Sequence, residues 1–230
     1  MTTAKLLHDL LGLETAAVAV SFRDKAPASI PHVSSPGPSG CSYWKKAADG
    51  DAFYTEAADH YNCPIGAYTH GVELPPDQMK ELEGFVGKMI GLGYLRQEEV
   101  PAIPWRQGEF RVAVYAPLAE APGEPDVVLV RGNAKQIMLL AEAAQAAGVG
   151  AESPLMGRPT CAAVPEVLRT QRSAASLGCI GNRVYTALAD DELYFAVPGK
   201  ELSTVVEKLA TIVNANRELE SYHRARASQH

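Results

Sequence analysis

No apolar run in the sequence approaches the 18 or more residues that a membrane-spanning helix needs. Its opening, Met1 to Glu14, is broken by Lys5, His8, Asp9 and Glu14, so it lacks the apolar core of a signal peptide. A cytoplasmic protein with no membrane contact is the expectation. Cysteine is scarce, four in 230 residues, which excludes a disulfide scaffold. No two cysteines stand at the Cys-x-x-Cys spacing that zinc knuckles favour. There is no Gly-x-Ser-x-Gly nucleophile elbow and no glycine-rich phosphate loop. Positive charge is in deficit: 21 Lys and Arg face 27 Asp and Glu, for a net charge of −6. The basic pair Lys45-Lys46 is too small for a nucleic-acid patch, so no nucleic-acid partner is expected.

Hydrophobic residues make up 47% and charged residues 21%, an ordinary globular balance. The pattern predicts a short helix over 3–11 and a buried strand over 16–22, then a loop over 26–40 holding four Pro, two Gly and four Ser. A helix starts near Ser42, and another runs from the Pro75-Pro76 pair to about Ile90, with apolar positions 79, 82, 85, 86 and 89 as its buried face. Strands are expected at 110–116, 127–130 and 192–197. Helices are expected at 133–147, capped by Asn133, at 165–171 and at 201–220. The fold class read from this is mixed α/β (α+β): a mixed sheet with flanking helices, one domain over 1–220 and a polar tail over 221–230.

An order recurs along the chain. A Val-rich strand, a loop and a cysteine (Cys41; Cys161) are followed by a second cysteine before Ile-Gly (Cys63; Cys179) and then by Tyr-Thr (Tyr68-Thr69; Tyr185-Thr186). Half-repeats over 13–74 and 124–198, folding as two related lobes, are one reading; coincidence is the other.

The four cysteines carry the strongest chemical signal. Each lies beside turn formers: Gly40, Pro64 with Gly66, Pro159, and Gly178 with Gly181. Such residues turn the backbone around a ligand and leave amides free to face a thiolate. Four thiolates from Cys41, Cys63, Cys161 and Cys179 suit an iron–sulfur cluster, with a four-iron, four-sulfide cluster preferred. Zinc, reactive or paired thiols, and plain packing residues are the competing readings. Asn182 and Arg183 follow the last cysteine and have the chemistry to hold a small anionic molecule. Tyr68 and Tyr185 are candidate substrate-binding or proton-passing groups, weighed against rings that simply pack. His60 and His70 flank Cys63 and are read as solvent-exposed, and Trp44 and Trp105 as core residues. Asp190-Asp191-Glu192 reads as a solvated turn.

The stretches Cys41-Ser-Tyr-Trp-Lys-Lys-Ala, Cys63-Pro-Ile-Gly-Ala-Tyr, Pro125-Asp-Val-Val-Leu with Gln136-Ile-Met, Cys161-Ala, Gly178-Cys-Ile-Gly-Asn-Arg-Val-Tyr-Thr, and Asp191-Glu-Leu followed by Val197-Pro-Gly resemble the ArCR-type prokaryotic domain-of-unknown-function family, number 169. The resemblance runs from about residue 5 to 210. It implies a single family domain and no particular reaction.

The functional expectation is an iron–sulfur protein doing redox or Lewis-acid chemistry on a small anionic molecule, served by an electron-transfer partner and compatible with a homodimer. The alternatives are a metal-free enzyme using Cys63 or Cys179 as nucleophile, and a small-molecule binding or sensing module without turnover.

Overall fold

A computed structural model describes residues 2–152 and 159–227. Its strands are β1 (Val18–Arg23), β2 (Phe53–Thr55), β3 (Val112–Pro117), β4 (Val127–Asn133), β5 (Ala174–Ser176) and β6 (Glu192–Pro198). They form one sheet in the order β2-β3-β1-β4-β6-β5. The helices are α1 (Thr3–Leu11), α2 (Gly40–Ala48), α3 (Pro64–His70), α4 (Pro76–Gly91), α5 (Ala134–Ala146), α6 (Ala163–Thr170), α7 (Ile180–Thr186) and α8 (Leu202–Ala227).

The sheet is a middle layer. Against one face pack α2 and α6, whose Tyr43, Trp44, Val164 and Val167 meet Val18, Val20, Tyr115 and Leu129. Against the other face pack α1, α5 and α8, whose Leu7, Leu140 and Leu209 meet Val128, Val130, Phe195 and Val197. Coverage on both faces explains why β1, β3 and β4 read as nearly unbroken apolar runs rather than alternating ones.

The mixed α/β class stands, but the mixed sheet is corrected in detail. Every strand ladder is antiparallel, and the one parallel pairing among the described residues is the isolated His32–Tyr54 bridge. The cause lies in the connections. β1 and β2 run parallel to each other, but β3 returns between them in the opposite direction, as β6 does between β4 and β5.

Asn133 ends β4 and caps α5: its side chain accepts the Gln136 amide while the Gln136 side chain accepts the Asn133 amide. Helix α4 forms where Pro75-Pro76 predicts it, but its apolar face is only partly used. Leu82 is buried, whereas Met79 and Phe85 are exposed. The polar tail is helical as far as Ala227, with Arg224 paired to Glu220 one turn back. The acidic turn gives up one member, because Glu192 accepts Arg131 Nε at 2.9 Å and pairs with its Nη2. No helix among the described residues is long and apolar enough to cross a membrane.

Candidate four-thiol site

Each cysteine stands at the N-terminal end of a helical segment. Cys41 lies in the first turn of α2, just after the cap residue Ser39, whose Oγ is 3.2 Å from Cys41 Sγ. Cys63 is the cap residue of α3, with Pro64 at the first helical position, where its missing amide costs nothing. Cys161 sits in the 3-10 turn Thr160–Ala162 that leads into α6. Cys179 caps α7, and its amide donates to Thr160 Oγ1 at 2.6 Å. All four are free thiols, Cys41 and Cys161 buried and Cys63 and Cys179 half-buried.

The helix ends meet. α2 packs on α7 and on α3, and α3 packs on the Thr160–Ala162 turn and on α6. Gly40 and Gly66 let α2 and α3 approach at backbone distance: a Cβ at Gly66 would lie 3.4 Å from Gly40 Cα and 2.9 Å from Cys63 Sγ. The fields of Cys63 and Cys179 are felt at Cys41, and those of Cys41, Cys63 and Cys179 at Cys161. The four thiols therefore share one neighbourhood, though the chain separates the first from the last by 138 residues. Burial pushes the Cys41 thiol up and the Cys161 thiol well up. The Ser39 hydroxyl opposes the rise at Cys41, as does the nearby Asn182 amide without a hydrogen bond of sound geometry, and Thr69 opposes it at Cys161.

Among the described residues no three His, Cys, Asp or Glu side chains are grouped to hold a single metal ion. A tetrahedral zinc, with Zn–S bonds of about 2.3 Å, draws its thiolates to about 3.8 Å apart. An iron–sulfur cluster is several atoms across and takes its thiolates from a wider circle.

Asn182 is 1% exposed, faces Cys41, and has no geometrically sound hydrogen-bond partner for Nδ2 or Oδ1 among the described residues. Arg183, expected to hold an anion, has its guanidinium on backbone carbonyls. It donates to the carbonyls of Ala189 at 2.7 Å and of Leu177, tying together the segments before and after α7. Tyr68 packs with Leu82 and Val86 of α4. Tyr185 lies on the exposed side of α7 beside Ile180 and Val184, which are 73% and 69% exposed. Trp44 is in the core as expected, but Trp105 is 45% exposed.

The sequence reading missed the buried polar wall behind the thiols. His60 and His70 are not exposed; they are 1% and 0% accessible and stack with ring centroids 5.6 Å apart. His60 Nε2 lies 2.9 Å from Thr55 Oγ1, and His70 Nδ1 lies 2.8 Å from the Gly66 carbonyl, to which it donates. Burial lowers His60 to about 3 and His70 to about 4; a second proton on the stacked pair would be repelled by the first, and at His70 the Gly66 carbonyl opposes the fall while the Arg106 charge adds to it. Their position three residues before and seven after Cys63 is the one signal that pointed at them.

A profile of the family described as uncharacterised ArCR, domain of unknown function 169, matches residues 6–208. The chain belongs to this family. The ArCR match contains all six strands and all four cysteines and ends within α8. A protein of Methanocaldococcus jannaschii, itself described as uncharacterised, is 31% identical over 161 residues, covering 66% of this chain and 67% of its own length. No solved structure matches.

Proposed function

We propose that this ArCR-family chain is a cytoplasmic iron–sulfur protein in which Cys41, Cys63, Cys161 and Cys179 hold one cluster, of the four-iron, four-sulfide type. The observation that carries the reading is the meeting of four separate helix beginnings, each with a cysteine in its first turn or at its cap. Unpaired amides and the positive ends of helix dipoles favour anionic sulfur, whether thiolate or sulfide. The unpartnered Asn182 amide adds two donors and an acceptor beside Cys41, in a position where leaving them unused costs about 1–3 kcal/mol.

When bound, such a group would supply one-electron redox chemistry; Lewis acidity would need one of the four cysteines to leave its iron open. The chain's own part is to hold four thiolates, exclude bulk water from the Cys41–Cys161 side, and offer Asn182 to a small anionic molecule. The redox form of the reading requires an electron-transfer partner. The rival reading, a metal-free thiol enzyme, rests on the half-exposed Cys63 and Cys179, because burial disfavours the thiolate at the other two.

Anaerobic purification followed by iron and acid-labile sulfide analysis tests the proposal. The expected result is a brown protein with about four of each per chain. A colourless protein with neither element, even after reconstitution with iron and sulfide, overturns it.

A further inference from the structure

The strand order β2-β3-β1-β4-β6-β5 reads the same from either edge once β1, β2 and β3 are exchanged for β4, β5 and β6. The registers obey the same exchange. Val18 opens β1 opposite Pro117 at the end of β3, and Val127 opens β4 opposite Pro198 at the end of β6. With these as equivalents, Phe53–Tyr115 maps onto Ala174–Ala196, and Thr55–Ala113 maps onto Ser176–Tyr194; both are observed pairs. The central ladder maps onto itself, Val18–Leu129 becoming Val127–Val20. The hydrogen bond from Leu118 N–H to the Ala17 carbonyl, 2.8 Å, becomes that from Gly199 N–H to the Asp126 carbonyl, 3.0 Å.

The helices follow. α2 leans on β1 and β3 as α6 leans on β4 and β6, and α2 touches α7 as α6 touches α3. α3 and α7 are each seven residues long, capped by a cysteine and closed by a left-handed residue, Gly71 and Ala187. His70 Nδ1 donates back to the Gly66 carbonyl where Thr186 Oγ1 donates back to the Asn182 carbonyl, both at 2.8 Å. A one-residue slip in any ladder would break this correspondence, so chance agreement across five ladders is a poor account of it.

We infer that the chain is two copies of one β-α-β-α-β unit, β1 to β3 and β4 to β6, related by a dyad between β1 and β4, and that the thiol pocket is two copies of one half-site meeting across it. Cys41 and Cys161 are the inner equivalents; Cys63 and Cys179 are the outer ones. Each inner cysteine faces a helix of the other copy, Cys41 facing Asn182 of α7 and Cys161 facing Thr69 of α3. The first copy therefore extends to Pro117 rather than stopping at residue 74, because α4 and the segment after it are inserted before its last strand, and α5 is an insertion of the second copy between β4 and α6. The copies differ where they line the pocket. The first has Gly40 and Gly66, and the second has Thr160 and Asn182 at the equivalent positions, so the second copy adds polar side chains where the first has none, while the His60–His70 pair belongs to the first copy alone. The ligand assignment rests on the cluster reading; the pairing of the cysteines does not.

Four single variants, Cys41→Ser, Cys63→Ser, Cys161→Ser and Cys179→Ser, are reconstituted in parallel and their iron content measured. Losses shared by both copies are expected, each variant weakening iron retention by at least about tenfold, the loss that removing even a partner of a ligand causes, with dyad mates alike. Loss at Cys41 and Cys63 with retention at Cys161 and Cys179, or the reverse, overturns the inference, because the site would then belong to one copy. Timed alkylation of the iron-free wild-type chain, read by mass spectrometry, needs neither a cluster nor a variant that folds. Cys63 and Cys179 label together, ahead of Cys41 and Cys161; any other grouping overturns the pairing. If the wild-type chain takes up no iron while the labelling follows the pairs, the cluster reading falls and the dyad stands.

Discussion

Lowering the pH from 7.5 to 5 should cost the fold on the order of 4 kcal/mol through His60 and His70 alone, about half from each. Both rings are buried as neutral groups, with pKa values lowered from 6.5 to about 3 and about 4. A depressed histidine pKa means that the unfolded chain takes up protons before the folded one does. The stabilisation is thus whole above the unfolded value and is lost as pH falls from about 6.5 toward the folded values. The geometry explains why the rings resist protonation. Each has one nitrogen engaged, with Thr55 or with the Gly66 carbonyl, while His60 Nδ1 and His70 Nε2 have no partner among the described residues to accept a new proton's hydrogen bond. Arg106, stacked on Phe22 and Phe110, adds a repelling charge near His70. In a chain of this size the loss corresponds to a fall of roughly 10 °C in the melting midpoint. Calorimetry of the wild type against His60→Gln and His70→Gln checks it. Each variant should be less stable at pH 7.5 but show a shallower decline toward pH 5. A wild-type midpoint that stays level to pH 5 contradicts the assignment.

Replacing Trp44 by Ala should cost about 3–5 kcal/mol, because it removes the largest fully buried side chain and leaves a cavity between α2 and the sheet. The indole meets Tyr194 edge-on at 5.4 Å, and α2 is the helix that carries Cys41. On the cluster proposal the variant should therefore lose iron retention together with stability. Trp44→Phe keeps most of the volume and removes an indole N–H that has no hydrogen-bond partner among the described residues, so it should cost much less. Denaturant titration gives both values. A Trp44→Ala loss below about 1 kcal/mol would mean that α2 does not depend on this ring.

The parts of the fold legible in the sequence are those whose stability is written locally. α5 has its capping box, α4 its proline start, and β1 and β4 their β-branched runs. α3 and α7 were not legible. Pro64, Gly66 and Gly181 mark turns in isolation, and a seven-residue helix is marginal until packing holds it. β2 and β5 have three residues each, too few for a pattern to show. The turn formers around the cysteines were readable, and they proved to be helix starts. That those starts meet was not readable, because it depends on β3 and β6 returning between strands placed earlier in the chain. His60 and His70 were misread because nothing in their local sequence distinguishes a buried imidazole from a surface one.

Diffraction from anaerobically grown crystals, collected on both sides of the iron absorption edge, goes furthest toward judging the whole scheme. One compact iron signal enclosed by the sulfur atoms of residues 41, 63, 161 and 179 is what the arrangement of helix starts predicts. Those same sulfurs seated in separate apolar packing, with no iron signal among them in protein grown with iron and sulfide supplied, would contradict it.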